Sequence, residues 1–235
     1  MNHIHTIPVL DALRNPEGCA FCAMYEKLNQ DSILFIMGPA YMEDDVRMET
    51  NKIGFCPAHL KDMYKEQNRL GLGLMLHTYM HQLNKDLDAI IKNRVPASIF
   101  KKDTNSPLTK IKTHLEQTIN SCYVCNKIER TFDRYIDTFL YLWAKGGSEL
   151  DLIESQPGYC LPHFTRLLNA ADSMSKSKKE RFLSVIVAAQ KRLLEEMELD
   201  LEWFTLKFDH RNADAPWKNA KDALPRAINL LSERK

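Results

Sequence analysis

Gly54-Phe55-Cys56-Pro57-Ala58-His59 and Gly158-Tyr159-Cys160-Leu161-Pro162-His163 are two versions of one phrase, a glycine turn that leads into a cysteine and a histidine three residues apart. Each follows a cysteine pair: Cys19-x-x-Cys22 precedes the first, Cys122-x-x-Cys125 the second. Cys19 and Cys122 are 103 positions apart, as are Cys22 and Cys125; Cys56 and Cys160, and His59 and His163, are 104 apart. The chain has six cysteines, and the pattern uses all of them. Three sulfurs and one imidazole per copy make a complete tetrahedral ligand set. The sequence describes a duplicated metalloprotein.

The segments around these motifs read as helices. Apolar residues recur at Leu72, Leu76, Met80, Leu83, Leu87, Ile90 and Ile91, and again at Phe182, Ile186, Ala189, Leu193, Met197, Leu201, Phe204 and Phe208, in steps of three and four. These stripes predict long helices over 68–94 and 177–206. Each repeat opens on CxxC at the head of a helix (21–37 and 123–144), which ends at Gly38-Pro39 or Gly146-Gly147. A short charged helix follows (42–51 and 148–155). The glycine turn then delivers CxxH at the head of the next helix, with Pro57 or Pro162 in its first turn, where a missing N–H costs little. No alternating apolar–polar run suggests a strand. The expected fold is all-α: two pseudo-repeated helical halves, 1–95 and 108–206, each stapled by a metal site. A hinge at 96–107 (PASIFKKDTNSP) joins them, and an irregular tail, 207–235, ends in a short helix near 225–232 and packs on the repeats.

Both half-motifs sit at helix amino termini. The partial positive charge and free N–H groups there lower thiol pKa and hydrogen-bond thiolates. The expected ligands are Cys19, Cys22, Cys56 and His59 for one ion, and Cys122, Cys125, Cys160 and His163 for the other. Duplication favours pairing within halves; one CxxC meeting the other half's CxxH is the alternative. With four protein ligands there is no open position for water or substrate, so the use is structural rather than catalytic. Two zinc ions fit best, with an iron–sulfur cluster as the alternative cofactor. A redox dithiol is a third reading of CxxC, but no strand–helix alternation surrounds either pair, and it leaves CxxH without a role.

Composition sets outer bounds. Apolar residues make up 44% of the chain, enough for a sizeable core, and 32 basic residues nearly balance 31 acidic ones. No global charge draws the protein to nucleic acid or to an anionic membrane. The amino terminus carries no secretory pattern and no apolar run is long enough to span a bilayer, so the expected location is the cytoplasm. There, clustered cysteines are metal ligands more often than disulfides.

Two further stretches could carry chemistry. Glu43, Asp44, Asp45 and Arg47 form an acidic segment that reads either as first-turn helix acids or as a pocket wall. The tail sets Lys207, Asp209, Arg211 and Trp217 in a non-periodic run that either binds something or docks the tail on the helices. A ligand pocket, or an enzyme site, would combine the two stretches. His77 and His81, four apart on the long first helix, are a weaker metal pair; Gly71 and Gly73 beside them suggest close helix packing.

The wording of several stretches is itself distinctive. YMEDDVR with TN-x-GFCPAH, NRLGLGLML, and the tail KFDHRN…PW…AKDALPRAI resemble a bacterial family known as a domain of unknown function, over essentially the whole chain. Some of its members are labelled substrate-binding proteins of ABC transporters, though this chain has neither an export signal nor the α/β pattern of periplasmic binding lobes. The resemblance implies no activity. It does imply that the acidic segment and the tail belong to what defines the family. The composite expectation is a metal-binding helical module for an unknown protein or small-molecule partner.

Overall fold

A computed structural model describes residues 3–14, 18–92 and 106–232. The described residues are helical throughout, with no strand among them. Eleven α-helices follow one another: α1 (Thr6–Arg14), α2 (Ala20–Met37), α3 (Asp44–Ile53), α4 (Pro57–Lys65), α5 (Arg69–Lys92), α6 (Pro107–Ile119), α7 (Tyr123–Lys145), α8 (Ser148–Glu154), α9 (Leu161–Ala170), α10 (Lys176–Leu206) and α11 (Ala223–Leu231). No helix among them is long and apolar enough to cross a membrane. The all-α reading holds, and so does the repeated order: α2, α3, α4 and α5 correspond to α7, α8, α9 and α10. Most of the expected hinge lies outside the described residues. Its last two positions open α6, where the Ser106 hydroxyl accepts the Thr109 N–H and Pro107 stands in the first turn.

Two compact units form, and neither coincides with a sequence half. One gathers residues 1–27 and 131–235; the other is 28–130. The chain passes from one to the other within α2 and again within α7, so each half of the sequence contributes to both units.

In the first unit the core is aromatic. Phe21 meets Phe132, Phe139 and Tyr159 at ring-centre distances of 5.9, 5.1 and 5.5 Å, and Phe182 meets Phe139 and Trp143 at 6.4 and 5.2 Å. All but the tilted Phe21–Tyr159 pair meet edge to face, and such pairs contribute beyond the area they bury. The α10 stripe continues the core outward, where Met197, Leu193 and Leu201 pack on Ala227 and Leu230 of α11. The tail is ordered by specific ties. Lys207 is 8% exposed, and its ammonium donates to the carbonyls of Asn212, Ala213 and Ala215 at 2.7, 2.8 and 2.5 Å. Trp203 donates to the Pro216 carbonyl, and Arg226 bridges Asp200 and Asp222.

The second unit is more aliphatic, with Ile33, Ile36, Met63, Met75, Val124 and Ile128 buried. Asn68 ties the start of α5 to the end of α2: its amide donates to the Met37 carbonyl at 2.8 Å, and its oxygen accepts the Gly71 N–H at 2.9 Å. A β-carbon on Gly71 would lie 2.6 Å from that amide, a crowding by the residue three before it at the head of the same helix. Gly73 has open space around it.

Candidate metal centres

In both repeats the cysteine pair sits at the start of a helix for the same local reason. Cys19 and Cys122 stand just before α2 and α7, their carbonyls accepting the first helical N–H bonds, while Cys22 and Cys125 lie in the first turn. The Cys125 N–H points at the Cys122 sulfur, 3.5 Å away. Cys56 and Cys160 are the N-cap residues of α4 and α9, both extended, with the histidine one turn inside. Sulfur and imidazole therefore leave each helix on one face.

Two groups of four donors result. Cys19, Cys22, Cys160 and His163 form one; Cys56, His59, Cys122 and Cys125 form the other. Within each group the ligand atoms all lie within 4.8 Å of one another. Each group falls inside one compact unit, and each combines the CxxC of one repeat with the CxxH of the other. Pairing within sequence halves, which duplication favours, is not what the fold adopts. The helix that follows each CxxC explains why. At ~1.5 Å per residue α2 has risen about 10 Å past Cys22 when it reaches Asn29. His59 is held at Asn29, its Nε2–H donating to the Asn29 oxygen at 2.9 Å. His163, likewise, packs on Phe132, the same distance past Cys125 on α7, with ring centres 5.0 Å apart. Neither histidine can share an ion with the cysteine pair of its own repeat.

Specific contacts fix the crossed partners. In the second unit the Tyr123 N–H, inside the second CxxC, donates to the Gly54 carbonyl at 2.9 Å, and the Ser121 hydroxyl donates to the Ile53 carbonyl at 2.5 Å. Gly54 has φ +70° and ψ −157°, a conformation open essentially to glycine alone. In the first unit Phe21, inside the first CxxC, packs on Tyr159 and on His163. Gln190, buried on α10, clamps the Tyr159 backbone: its oxygen accepts the N–H and its amide donates to the carbonyl, both at 2.9 Å.

The donor geometry suits a single ion. Four N and S donors around one tetrahedral zinc stand about 3.5–3.8 Å apart. Around His163 Nδ1 the sulfurs of Cys19, Cys22 and Cys160 lie at 3.7, 3.5 and 3.1 Å, and Cys22 and Cys160 are 3.5 Å apart. Around His59 Nδ1 the sulfurs of Cys56, Cys122 and Cys125 lie at 3.3, 3.2 and 3.4 Å, with Cys56 and Cys125 3.9 Å apart. None of the six cysteines is joined in a disulfide. The hydrogen bond to Asn29 puts the His59 proton on Nε2 and leaves the Nδ1 lone pair facing the sulfurs, as a ligating imidazole requires. The donor set therefore fits one metal ion per group.

Electrostatics agree with that fit. Burial, then the neighbouring Cys122 and Cys56 thiols, push the Cys125 thiol up to about 12. Hydrogen bonds to Cys19 and Cys22, with burial, push Cys160 far above the usual thiol range. Three crowded sulfurs resist ionising together; a dication among them removes that resistance and expels their protons. Burial lowers His59 below its ordinary value. His163 is also depressed by burial, but its contacts with the Cys19 and Cys22 sulfurs outweigh this and carry it up to about 9. The two imidazoles thus differ in the metal-free chain.

Glu43 precedes α3, and Asp44 and Asp45 occupy its exposed first turn, where the Asp45 carboxylate accepts the Val46 N–H at 2.8 Å. Arg47 is half-buried on the same helix. These four lie in the second unit; Lys207, Asp209, Arg211 and Trp217 lie in the first. Asp209 caps the turn at His210–Asn212 and binds the Arg211 guanidinium, and Lys207 also faces the Trp217 ring at 5.3 Å. The tail groups are thus engaged in folding the tail. His77 and His81 are exposed on α5 and belong to neither donor group. Asn29, Phe132 and Gln190 escape sequence reading. Their one signal is positional: Asn29 and Phe132 occupy the same place in the two repeats.

The profile of a family of unknown function, DUF6062, matches residues 1–235. No curated protein and no solved structure matches the chain.

Proposed function

This chain belongs to the DUF6062 family of unknown function, and we propose that it is a zinc-stapled helical scaffold, a binding module for a protein or small-molecule partner, with one structural zinc ion in each donor group. The observation that carries the reading is the convergence of three sulfurs and one Nδ1 within 4.8 Å in both groups. A zinc ion held by four protein ligands has no open position, so its role is to fix structure. It would tie the start of α2 to α9 in one unit and the start of α7 to α4 in the other. Such links join segments far apart in sequence, which a small helical unit cannot easily hold by burial alone. Zinc is favoured over an iron–sulfur cluster because a cluster interposes several iron and sulfide atoms and spreads its ligands more widely than a single ion does.

Elemental analysis of untagged protein tests this directly. The expected result is two zinc ions per chain and no visible absorbance. Iron with a band at about 400 nm in anaerobically prepared protein would replace zinc with a cluster. A fully folded chain with no bound metal would overturn the reading altogether.

A further inference from the structure

The two donor groups have unequal surroundings. In the group of Cys19, Cys22, Cys160 and His163, only Cys19 is partly exposed, and the His163 ring is enclosed by Phe21, Tyr25 and Phe132 at 5.9, 6.4 and 5.0 Å. In the group of Cys56, His59, Cys122 and Cys125, two cysteines are partly exposed, Cys56 and Cys125. They are also neighbours, 3.9 Å apart, on different helices, one the N-cap of α4 and the other in the first turn of α7. Accessible thiolates held at helix amino termini are the ones oxidants reach first, and a second thiol in contact resolves the product to a disulfide.

We propose that the second group is a peroxide-sensitive site, in which Cys56 and Cys125 are oxidised to a disulfide and zinc is released, while the first group keeps its ion. The inference rests on the zinc reading above. One thiolate attacks a peroxide oxygen; the O–O bond breaks, and the departing hydroxide takes up a proton to leave as water. The sulfenic acid so formed is attacked at sulfur by the other thiolate. Its hydroxide is displaced and protonated to a second water, and the S–S bond closes. Two thiolates lose two electrons, and one peroxide and two protons become two waters. The zinc keeps only Cys122 and His59, half its ligand set, and leaves. A dithiol reductant reverses the bond and restores the site. The device would replace the ion between α4 and α7 by a covalent bond between the same helices, set Cys122 and His59 free of metal, and leave the aromatic unit intact.

The test uses the full-length, zinc-loaded protein. Hydrogen peroxide is added in small molar excess, zinc release is followed with a chromogenic chelator, and the remaining thiols are alkylated and mapped by mass spectrometry. The expected result is one zinc released at least about tenfold faster than the other, as exposure of the thiolates dictates, a Cys56–Cys125 disulfide, and recovery of metal binding after reduction with added zinc. Cys56→Ser, which empties this site, should abolish the fast release. Equal release of both ions, or prior oxidation of Cys19, Cys22 or Cys160, would overturn the inference while leaving the two-zinc reading standing. A preparation that never holds two zinc ions would overturn both.

Discussion

Asn29 and Phe132 stand at the same position of the two repeats, each beside the histidine of a donor group, and they do opposite things. Asn29 offers an oxygen that accepts the His59 Nε2–H at 2.9 Å. Phe132, 0% exposed, offers a ring face, and Arg166 lies over that ring at 4.6 Å. One donor group is thus oriented by a polar second contact, the other by an aromatic core. Duplication preserved the eight ligands and let the two environments diverge: one group is embedded in packing, the other held by hydrogen bonds near the surface.

The largest effects come from the ligands themselves. Structural zinc contributes on the order of 10 kcal/mol in small modules, so stripping both ions with a chelator should bring down much of the fold, seen as loss of helical circular dichroism on mild heating. Pairs of substitutions read out the crossing. Cys19→Ser with Cys160→Ser should remove one zinc per chain, and Cys19→Ser with Cys56→Ser should remove two, by native mass spectrometry. The reverse pattern would restore pairing within sequence halves. Zinc uptake by the chelator-treated chain should release protons into weakly buffered solution. The Cys125 thiol, pushed up to about 12, stays protonated at neutral pH in the metal-free chain and must give up that proton to bind, so affinity should rise with pH and fall on acidification.

Next in size is the aromatic wall. Phe132→Ala should cost about 3–5 kcal/mol, the range for emptying a large buried ring, and should loosen His163 as well. The expected reading is a large drop in melting temperature with the zinc of the second unit retained. If Phe132→Ala costs no more than a surface change, the division into a packed group and a hydrogen-bonded group fails.

Asn29→Ala should act more gently and elsewhere. Losing the acceptor for a ligating histidine typically weakens metal binding about 10–100-fold. Competition with a chromogenic chelator should show that weakening for one zinc of two, the ion of Cys56, His59, Cys122 and Cys125. Equal weakening of both would show that Asn29 acts on the whole scaffold rather than on His59.

This pair of residues also marks how far the sequence could be read. The ligands were legible because sulfur and imidazole chemistry admits few residue types, and the spacing repeats at nearly one offset. The long helices were legible because α5 and α10 carry an apolar stripe over many turns, buried along much of α10 but only near the start of α5. The crossing was not legible: spacing within a repeat says which donors share a helix start, but not how far the helix between them carries the chain before CxxH returns. Nor were α1 and α6 anticipated. α1 buries only Val9 and Leu13, and α6 buries none of its residues, so neither writes a strong apolar period. The tail's charges read equally well as a binding site or as ties; the three carbonyls around Lys207 show that this one is a tie.

The smallest effects lie at the two glycine turns, and there the units differ in what yields. Gly54 and Gly158 both have positive φ, +70° and +142°, so alanine at either is strained, by about 1–3 kcal/mol. A β-carbon at 54 would meet the Tyr79 hydroxyl at 2.5 Å, the far end of a side chain that can swing aside. A β-carbon at 158 would meet Leu193 Cδ2 at 2.7 Å and Cβ at 3.1 Å, with Gln190 Oε1 at 3.3 Å, and Gln190 is pinned to the Tyr159 backbone by two hydrogen bonds. Little there can move without breaking the clamp that positions Cys160. Gly158→Ala should therefore lower the melting temperature more than Gly54→Ala, by the equivalent of about 1 kcal/mol, the worth of a disturbed buried hydrogen bond. Equal melting of the two variants would mean that the Gln190 clamp yields as freely as Tyr79, and that the first unit is no more rigid at its turn than the second.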